Sequence, residues 1–271
     1  MKGKRREPHV ILKSNMLLKG EAMKQRKRIL AMLLAGCMVS GGMTPFESSA
    51  KESDSAVIDV TEYGVTPDSG QDCAEGIQAA LDEAKKLSDE GKNVVLDFPT
   101  GRYDIYPDRA EERELYISNT VGANQDHKMK KIGILLEDMD NVTVDGNDSL
   151  FMFHGKMTTV AAIDCKNVKF EEFQVDFQTP TVVDITVESV DGNSAIVYVP
   201  ECYNYSVEGN TVKWISDSSP YTGQPYWTDT NKMDYTQRFD TTTGLTYRGS
   251  TGNNPVFDGA ASIEDLGNQS Y

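Results

Sequence analysis

Apolar positions fall into three patterns along the 271-residue chain. Between Asp72 and Leu87, the residues Ile77, Ala80, Leu81, Ala84 and Leu87 keep the spacing of one helix face, with Asp72 placed to cap the start and Gly91 to stop it. In NVVLDF, residues 93–98, Val94, Leu96 and Phe98 alternate like the inward positions of a short strand, and PTG turns the chain after it. The third pattern is an interval. DMDNVTVDGNDSLF, residues 138–151, returns 26 positions later as DCKNVKFEEFQVDF, residues 164–177. Asp138 then falls on Asp164, Asn141 on Asn167, Val142 on Val168, Val144 on Phe170 and Phe151 on Phe177. Asn93 precedes Asn141 by 48 residues, close to twice that interval, so the repeat has at least three members.

Short alternating strands joined by Asn, Asp and Gly at a period in the mid-twenties are what one coil of a parallel β-helix requires. A single coil cannot bury its inward side chains, so it stacks on the next at the spacing of paired strands, about 4.8 Å. Val142 over Val168 and Val144 over Phe170 become an interior column, and Asn141 over Asn167 a column at a bend. There an amide can donate and accept, and so satisfy backbone groups that a turn leaves unpaired. The helix before the first strand is placed to cover the open end of such a stack.

After Pro180 the pattern changes. VVDITVESVDGNSAIVYVP reads as two strands around Asp191-Gly192-Asn193, and YSVEGNTVKWI as two more around Glu208-Gly209-Asn210. Tight antiparallel hairpins do not belong to a coil. The expected class is therefore all-β: a parallel β-helix with an N-terminal capping helix and an inserted antiparallel β-barrel-like domain, incomplete at the C-terminus. The expected domains are a leader and signal peptide over 1–50, the cap and first coils over 51–180, and the truncated insertion over 181–271. Residues 216–259, rich in Thr, Asp, Gly and Tyr, read as a long loop with some strand.

The first 50 residues change the picture of charge. The whole chain holds 27 Lys and Arg against 42 Asp and Glu. Ten of those bases but only three of the acids precede residue 51, which leaves 17 against 39, a net charge of −22, in the remainder. Such a surface repels phosphate backbones and anionic lipids and suits a neutral substrate, so nucleic acid is excluded as a partner. From Met23, MKQRKR, the apolar ILAMLLAGCMVSGGM and the small-residue ESSAKES follow the layout of a secretory signal peptide, and the protein is expected to be exported, secreted or held at the cell surface. Leu34–Cys37 also reads as a lipoprotein box, which would make Cys37 the acylated residue. Cys73, Cys165 and Cys202 are odd in number and widely spaced, and read as small buried hydrophobes.

Several blocks together carry a resemblance: VTEYGVTPDSGQD, GIQAALDEA, FPTGRYDIYP, ELYISNT, KIGILLEDMDNVTVDGNDSLFMFHGKM and FQVDFQTPTV. Over residues 57–271 the chain resembles the front half of glycoside hydrolase family 110, exported bacterial exo-α-1,3-galactosidases built on a right-handed parallel β-helix with inserted β-barrel domains. The resemblance implies removal of terminal α-1,3-linked galactose from blood-group B type or related glycans, with inversion and without a cofactor. The implied partners are a galactose-terminated oligosaccharide or glycoconjugate and a second copy of the chain in a homodimer; the Leu34–Cys37 box, independently, would add a lipid anchor to the membrane through Cys37. Inversion needs two carboxyl groups about 6.5–9.5 Å apart. The family places its catalytic aspartates in an Asp-Asp segment on later coils. No Asp-Asp dipeptide occurs in this sequence, so the catalytic acids are expected beyond Tyr271.

Within the chain five residues are cleft candidates. His154 can reach a sugar hydroxyl or serve as a structural histidine between phenylalanines. Asp145 and Asp176 follow inward positions, although Asp145-Gly146 is also a turn signal and the turn reading is preferred. Tyr226 and Trp227 offer rings on which a sugar can stack, or simply pack their loop. The acids of DMDNVTVDGND lack calcium-loop spacing, so no metal is expected. Two rival classes remain, a non-catalytic β-helix adhesin and a pectinase-like β-helix enzyme. The second wants a basic cleft, against the acidic balance.

Overall fold

The structure is a computed structural model and describes residues 54–116, 128–230, 237–248 and 261–267. The leader, the signal segment and Cys37 lie outside the described residues. The described chain is mostly β, with one α-helix and several small sheets.

The helix α1, Ala74–Asp89, forms where the spacing predicts it. Asp72 accepts the Ala74 N–H at 2.9 Å, and Gly91, at φ +82°, closes the other end with its N–H on Ser88 O. Its buried face, Ala74, Ile77, Ala80, Leu81 and Ala84, packs against the strands β1 (Ser55–Asp59), β2 (Asn93–Asp97) and β5 (Met129–Glu137). Each fully buried Ile or Leu there contributes about 1.5–3 kcal/mol. Three bonds hold the helix to a neighbouring corner: Ser88 Oγ donates to Asp140 O at 2.8 Å and accepts the Asp140 N–H at 2.8 Å, and Lys85 Nζ donates to Asp138 O at 3.0 Å.

The principal sheet is parallel throughout. β1 pairs with β2, β2 with the first half of β6 (Val142–Phe153), β3 (Arg102–Ile105) with its second half, and β8 (Lys169–Phe177) with its opposite edge. A second sheet joins β4 (Glu111–Glu114) antiparallel to β5, and β5 parallel to β7 (Thr158–Ile163). β5, a corner and β6 thus lie on β7, a corner and β8. Both intervals read from the sequence are pairing registers: Val94 opposes Val142 at 48 residues, and Val144 opposes Phe170 at 26. Val94, Leu96, Val142, Val144, Phe151 and Phe153 are all inward and at most 1% exposed. At Gly133 of β5 the Phe153 ring comes so near that a Cβ would sit 2.4 Å from it, so only glycine fits.

The corner is built as expected from Asn141 and Asn167. Both take positive φ, 59° and 53°, as do Asp138 and Asp164 three residues earlier. Asn167 Nδ2 donates to Asn141 Oδ1 at 2.7 Å, and the Asn141 N–H donates to Lys166 O. One expected overlay differs. Phe151 lies over Val175, and Phe177 lies beside Phe153, because the register slips by two residues between Asp145 and Ser149. Residues 146–148 form a bulged corner opposite the single residue Glu172, itself at φ 52°. The same corner recurs at PTG: Asn147 Nδ2 donates to Asp97 Oδ1 and Phe98 O, and Thr100 Oγ1 donates to Asn147 O.

Beyond residue 180 the strands are antiparallel. β9 (Thr186–Asp191) and β10 (Ser194–Tyr198) turn at Gly192, and β11 (Asn204–Glu208) and β12 (Thr211–Ile215) at Gly209, both glycines at positive φ. β13 (Thr228–Thr230) adds to β12, and β14 (Gln237–Phe239) pairs with β15 (Thr246–Arg248). A second apolar cluster forms here around Val197, Val199, Tyr203, Val212 and Trp214. The three described cysteines, Cys73, Cys165 and Cys202, are free, and they differ. Cys73 is buried, and burial with the nearby Asp72 and Asp104 pushes its thiol up to about 11, whereas Cys165 is half-buried and Cys202 exposed. Only the first behaves as the small buried hydrophobe expected of all three.

Candidate functional site

Alternation along β3 sends Tyr103 and Ile105 inward and leaves Arg102 and Asp104 on the outer face. One residue past β6, His154 continues the outer face, its N–H bonded to Ile105 O. Gln178, one residue past β8, does the same through Phe153 O. Three stacked strands therefore deliver Arg102, Asp104, His154 and Gln178 to the same end of the ladder. With Asp68, Gly70 and Tyr106 they line an open cleft of about 460 Å³.

His154 is the centre of the network behind this cleft. Its Nε2 meets Asp104 Oδ1 at 2.9 Å and its Nδ1 meets Asp217 Oδ2 at 2.7 Å, with the Tyr106 ring stacked on it at 3.7 Å. With a carboxylate on each nitrogen, both nitrogens act as donors in the imidazolium form. Burial opposes that charge, but the hydrogen bonds to Asp104 and Asp217 outweigh it and raise the histidine above its ordinary range. Burial would likewise raise Asp104. The bonds from His154 and Arg102 reverse this and hold it below the usual carboxylate range. Arg102 grips Asp104 through Nε at 3.1 and 3.2 Å and Nη2 at 2.6 Å, and Nη2 also donates to Gln178 Oε1 at 2.8 Å. Asp104 is thus committed as an anion and cannot serve as a proton donor.

Asp217 comes from the segment after β12, its N–H on Thr179 Oγ1 at 3.1 Å. The same segment makes three further side-chain contacts. Ser219 Oγ donates to Asp108 Oδ1, Tyr226 to Asp108 Oδ2, and Tyr221 to Asp72 Oδ2. Arg109, paired with Glu75 at 2.6 Å, lies over the Tyr221 ring at 4.5 Å. Residues 216–227 are therefore a polar strap from the hairpins to the ladder and helix.

Of the candidates read from sequence, His154 alone lines the cleft. Tyr226 packs its ring on Gly155, where a Cβ would lie 2.7 Å from it, and its hydroxyl is held by Asp108. Trp227 packs into the second apolar cluster with Lys156 Nζ 5.3 Å above its ring. Asp145 accepts the Asn147 N–H at 3.1 Å in the bulged corner, as its turn signal predicts. Asp176 is exposed on β8 and accepts the Phe177 N–H. Neither acid borders the cleft. Sequence does not single out Arg102, Asp104, Tyr106, Gln178 or Asp217. The first three alternate in RYDIY, a pattern visible in sequence, whereas Asp217 has no local signal. Among the described residues no helix is long and apolar enough to cross a membrane, and no group of three acidic, His or Cys side chains is arranged to hold a metal ion.

No family model matches the chain. Among curated proteins, alpha-1,3-galactosidase A of Peterkaempfera griseoplana is 46% identical over 205 residues, 74% of this chain and 27% of that protein. Alpha-1,3-galactosidase A of Streptomyces avermitilis is 40% identical over 231 residues, 84% of this chain and 36% of the relative. That of Bacteroides fragilis is 32% identical over 202 residues, 72% and 32% respectively. The chain spans about a third of the length of the curated relatives it matches.

Proposed function

We infer, from the chain's membership in the alpha-1,3-galactosidase family over its matched span, that the protein is a glycosidase acting on galactose-containing glycans. The single observation that carries this reading is the 46% identity over 205 residues. The finer form of the proposal is exo-action: release of terminal α-1,3-linked galactose from blood-group B type or related glycans, with inversion, as in glycoside hydrolase family 110. Parallel pairing at 48 and 26 residues on two faces, with an amide column at the corner, supports reading the ladder as the first coils of a right-handed parallel β-helix. In that reading α1 is its cap and the hairpins after residue 180 are an inserted domain. The basic, apolar and small-residue succession from Met23 supports export, with Cys37 as a lipid attachment point.

Within this mechanism Asp104 is not the acid that protonates the leaving oxygen. Inversion requires a carboxylic acid for the leaving oxygen and a carboxylate for the attacking water. Asp104 is held ionised by Arg102 and His154, which excludes it as that acid. The test uses the native protein expressed from its own gene. It is expected to release galactose from an α-1,3-linked disaccharide and to leave an α-1,4-linked one intact, with β-galactose as the first anomer seen by proton NMR. Binding of the glycan without release from either disaccharide favours the adhesin reading and defeats this one. An initial α-anomer defeats inversion alone.

A further inference from the structure

We propose that the cleft formed by Asp68, Arg102, Tyr106 and Gln178 is a binding subsite for one ring of a neutral, hydroxyl-rich ligand, a sugar residue of a glycan. The identity of the sugar rests on the galactosidase reading, whereas the binding chemistry rests on the cleft. Its volume, about 460 Å³, lies within the roughly 300–1,000 Å³ of small-ligand sites.

Charge selects the class of ligand. Two cations, Arg102 and the imidazolium of His154, face two lining carboxylates, Asp68 and Asp104, and Asp217 stands behind the histidine. Arg102 and the imidazolium are paired with Asp104 and Asp217, and Asp68, whose Oδ1 takes a backbone N–H, adds one further carboxylate, so an anionic ligand finds no uncompensated cation. What the cleft presents is a set of hydrogen-bonding edges. Arg102 commits Nε and Nη2 to Asp104 and Gln178, and no described residue accepts from its Nη1. Gln178 accepts from Arg102 through Oε1, and among the described residues its amide nitrogen has no acceptor. Asp68 Oδ1 takes the Arg102 N–H at 3.0 Å, which leaves Oδ2 to accept from a ligand. Two donors and one acceptor thus converge beside the half-buried Tyr106 ring, which supplies an apolar wall. Vicinal hydroxyls on a ring with an apolar face match that arrangement.

Preorganisation strengthens the case. The guanidinium is fixed by its fork on Asp104, and Asp104 in turn by the buried His154, so Arg102 loses little freedom when a ligand arrives. Asp68 is fixed from its other side as well, its N–H donating to Arg102 O at 2.8 Å.

The experiment measures affinity for galactose, methyl α-galactoside and an α-1,3-linked galactobiose by calorimetry and ligand-observed NMR on the native protein. Gln178→Ala and Arg102→Lys are each expected to weaken the disaccharide at least tenfold. Asp176→Asn, two residues before Gln178 and outside the cleft lining, serves as the control and leaves affinity within twofold. Thermal melting of each variant identifies any that fails to fold, and Gln178→Ala, at an exposed side chain, keeps the test decisive if Arg102→Lys does not. Equal affinity in the folded variants and the wild type overturns the proposal, as does preference for a sulfated or uronic-acid sugar, or binding of glycerol as tightly as galactose. Loss of galactose release with binding intact overturns the enzyme reading instead, so the two failures are distinct.

Discussion

His154 is 4% exposed, yet it carries a charge, and its energetics follow from what surrounds it. Removing one partner from a buried ion-paired group leaves the others desolvated without compensation and costs about 3–5 kcal/mol. His154→Phe, which keeps the volume and the stacking surface for Tyr106, is expected to destabilise by that amount, read as a lower urea midpoint at unchanged m. The pH dependence has two limbs. His154 has a folded pKa raised above its reference of 6.5, so its contribution is complete below about pH 6.5 and is lost as pH rises through the folded value. Asp104 is lowered from 3.8, so its contribution is present above about pH 3.8 and is lost as pH falls through the folded value. The difference in unfolding free energy between wild type and His154→Gln should therefore be greatest between about pH 4 and 6.5 and shrink above it. A difference that stays level to pH 9 would contradict a cationic histidine. Sequence singled out this residue without its setting. Asp104 lies 50 positions away, two beyond the 48-residue register, and Asp217 lies 63 positions away on a segment with no repeat to place it.

At the level of the element, the corner between β5 and β6 and its copy between β7 and β8 show how much the repeat disclosed. An asparagine at positive φ costs less than most residues because its short amide bonds locally, whereas alanine there pays roughly 1–2 kcal/mol. Asn167→Ala also forfeits the 2.7 Å bond to Asn141, worth about 1 kcal/mol net, so a total loss near 2 kcal/mol is expected. Asn167→Gly should lose only about half of that, since glycine accepts the same backbone. Equal losses in the two variants, measured by chemical denaturation, would show that the backbone conformation contributes nothing. This corner was legible because identical residue types sit at a constant interval and do identical work. The second corner was not. Three residues, 146–148, make on β6 the bend that Glu172 makes alone on β8, which shortens the register from 26 to 24 residues. A fixed interval cannot register a change in the number of residues per bend, so it places Phe177 on Phe151, whereas the neighbour of Phe177 is Phe153.

Across the whole described molecule, two apolar clusters are joined chiefly by polar contacts. The first runs from Ile58 to Phe153 and the second from Val197 to Trp214. Hairpin turns made the second region visible in sequence, because Gly192 and Gly209 mark themselves. The strap at 216–227 has only the composition of a loop, since its hydroxyls and carboxylates act on Asp72, Asp108 and His154 more than 60 residues away. Polar attachment of this kind is strong only while every partner is in place. Asp217→Ala removes the acceptor of the His154 Nδ1 hydrogen, and Tyr226→Phe removes the hydroxyl from Asp108. In the double variant the strap keeps Tyr221 and Ser219 but loses both contacts nearest the cleft. Amide exchange in residues 204–227 should then quicken at least tenfold, while residues 94–98 and 142–153, whose burial is independent of the strap, keep their protection. If both regions lose protection together, the hairpins and the ladder open as one cooperative unit, and the strap is an integral wall of the first cluster. If only the first region quickens, the outer face around His154 depends for its shape on a segment that can detach, and any ligand seated beside Arg102 would in turn tighten the strap.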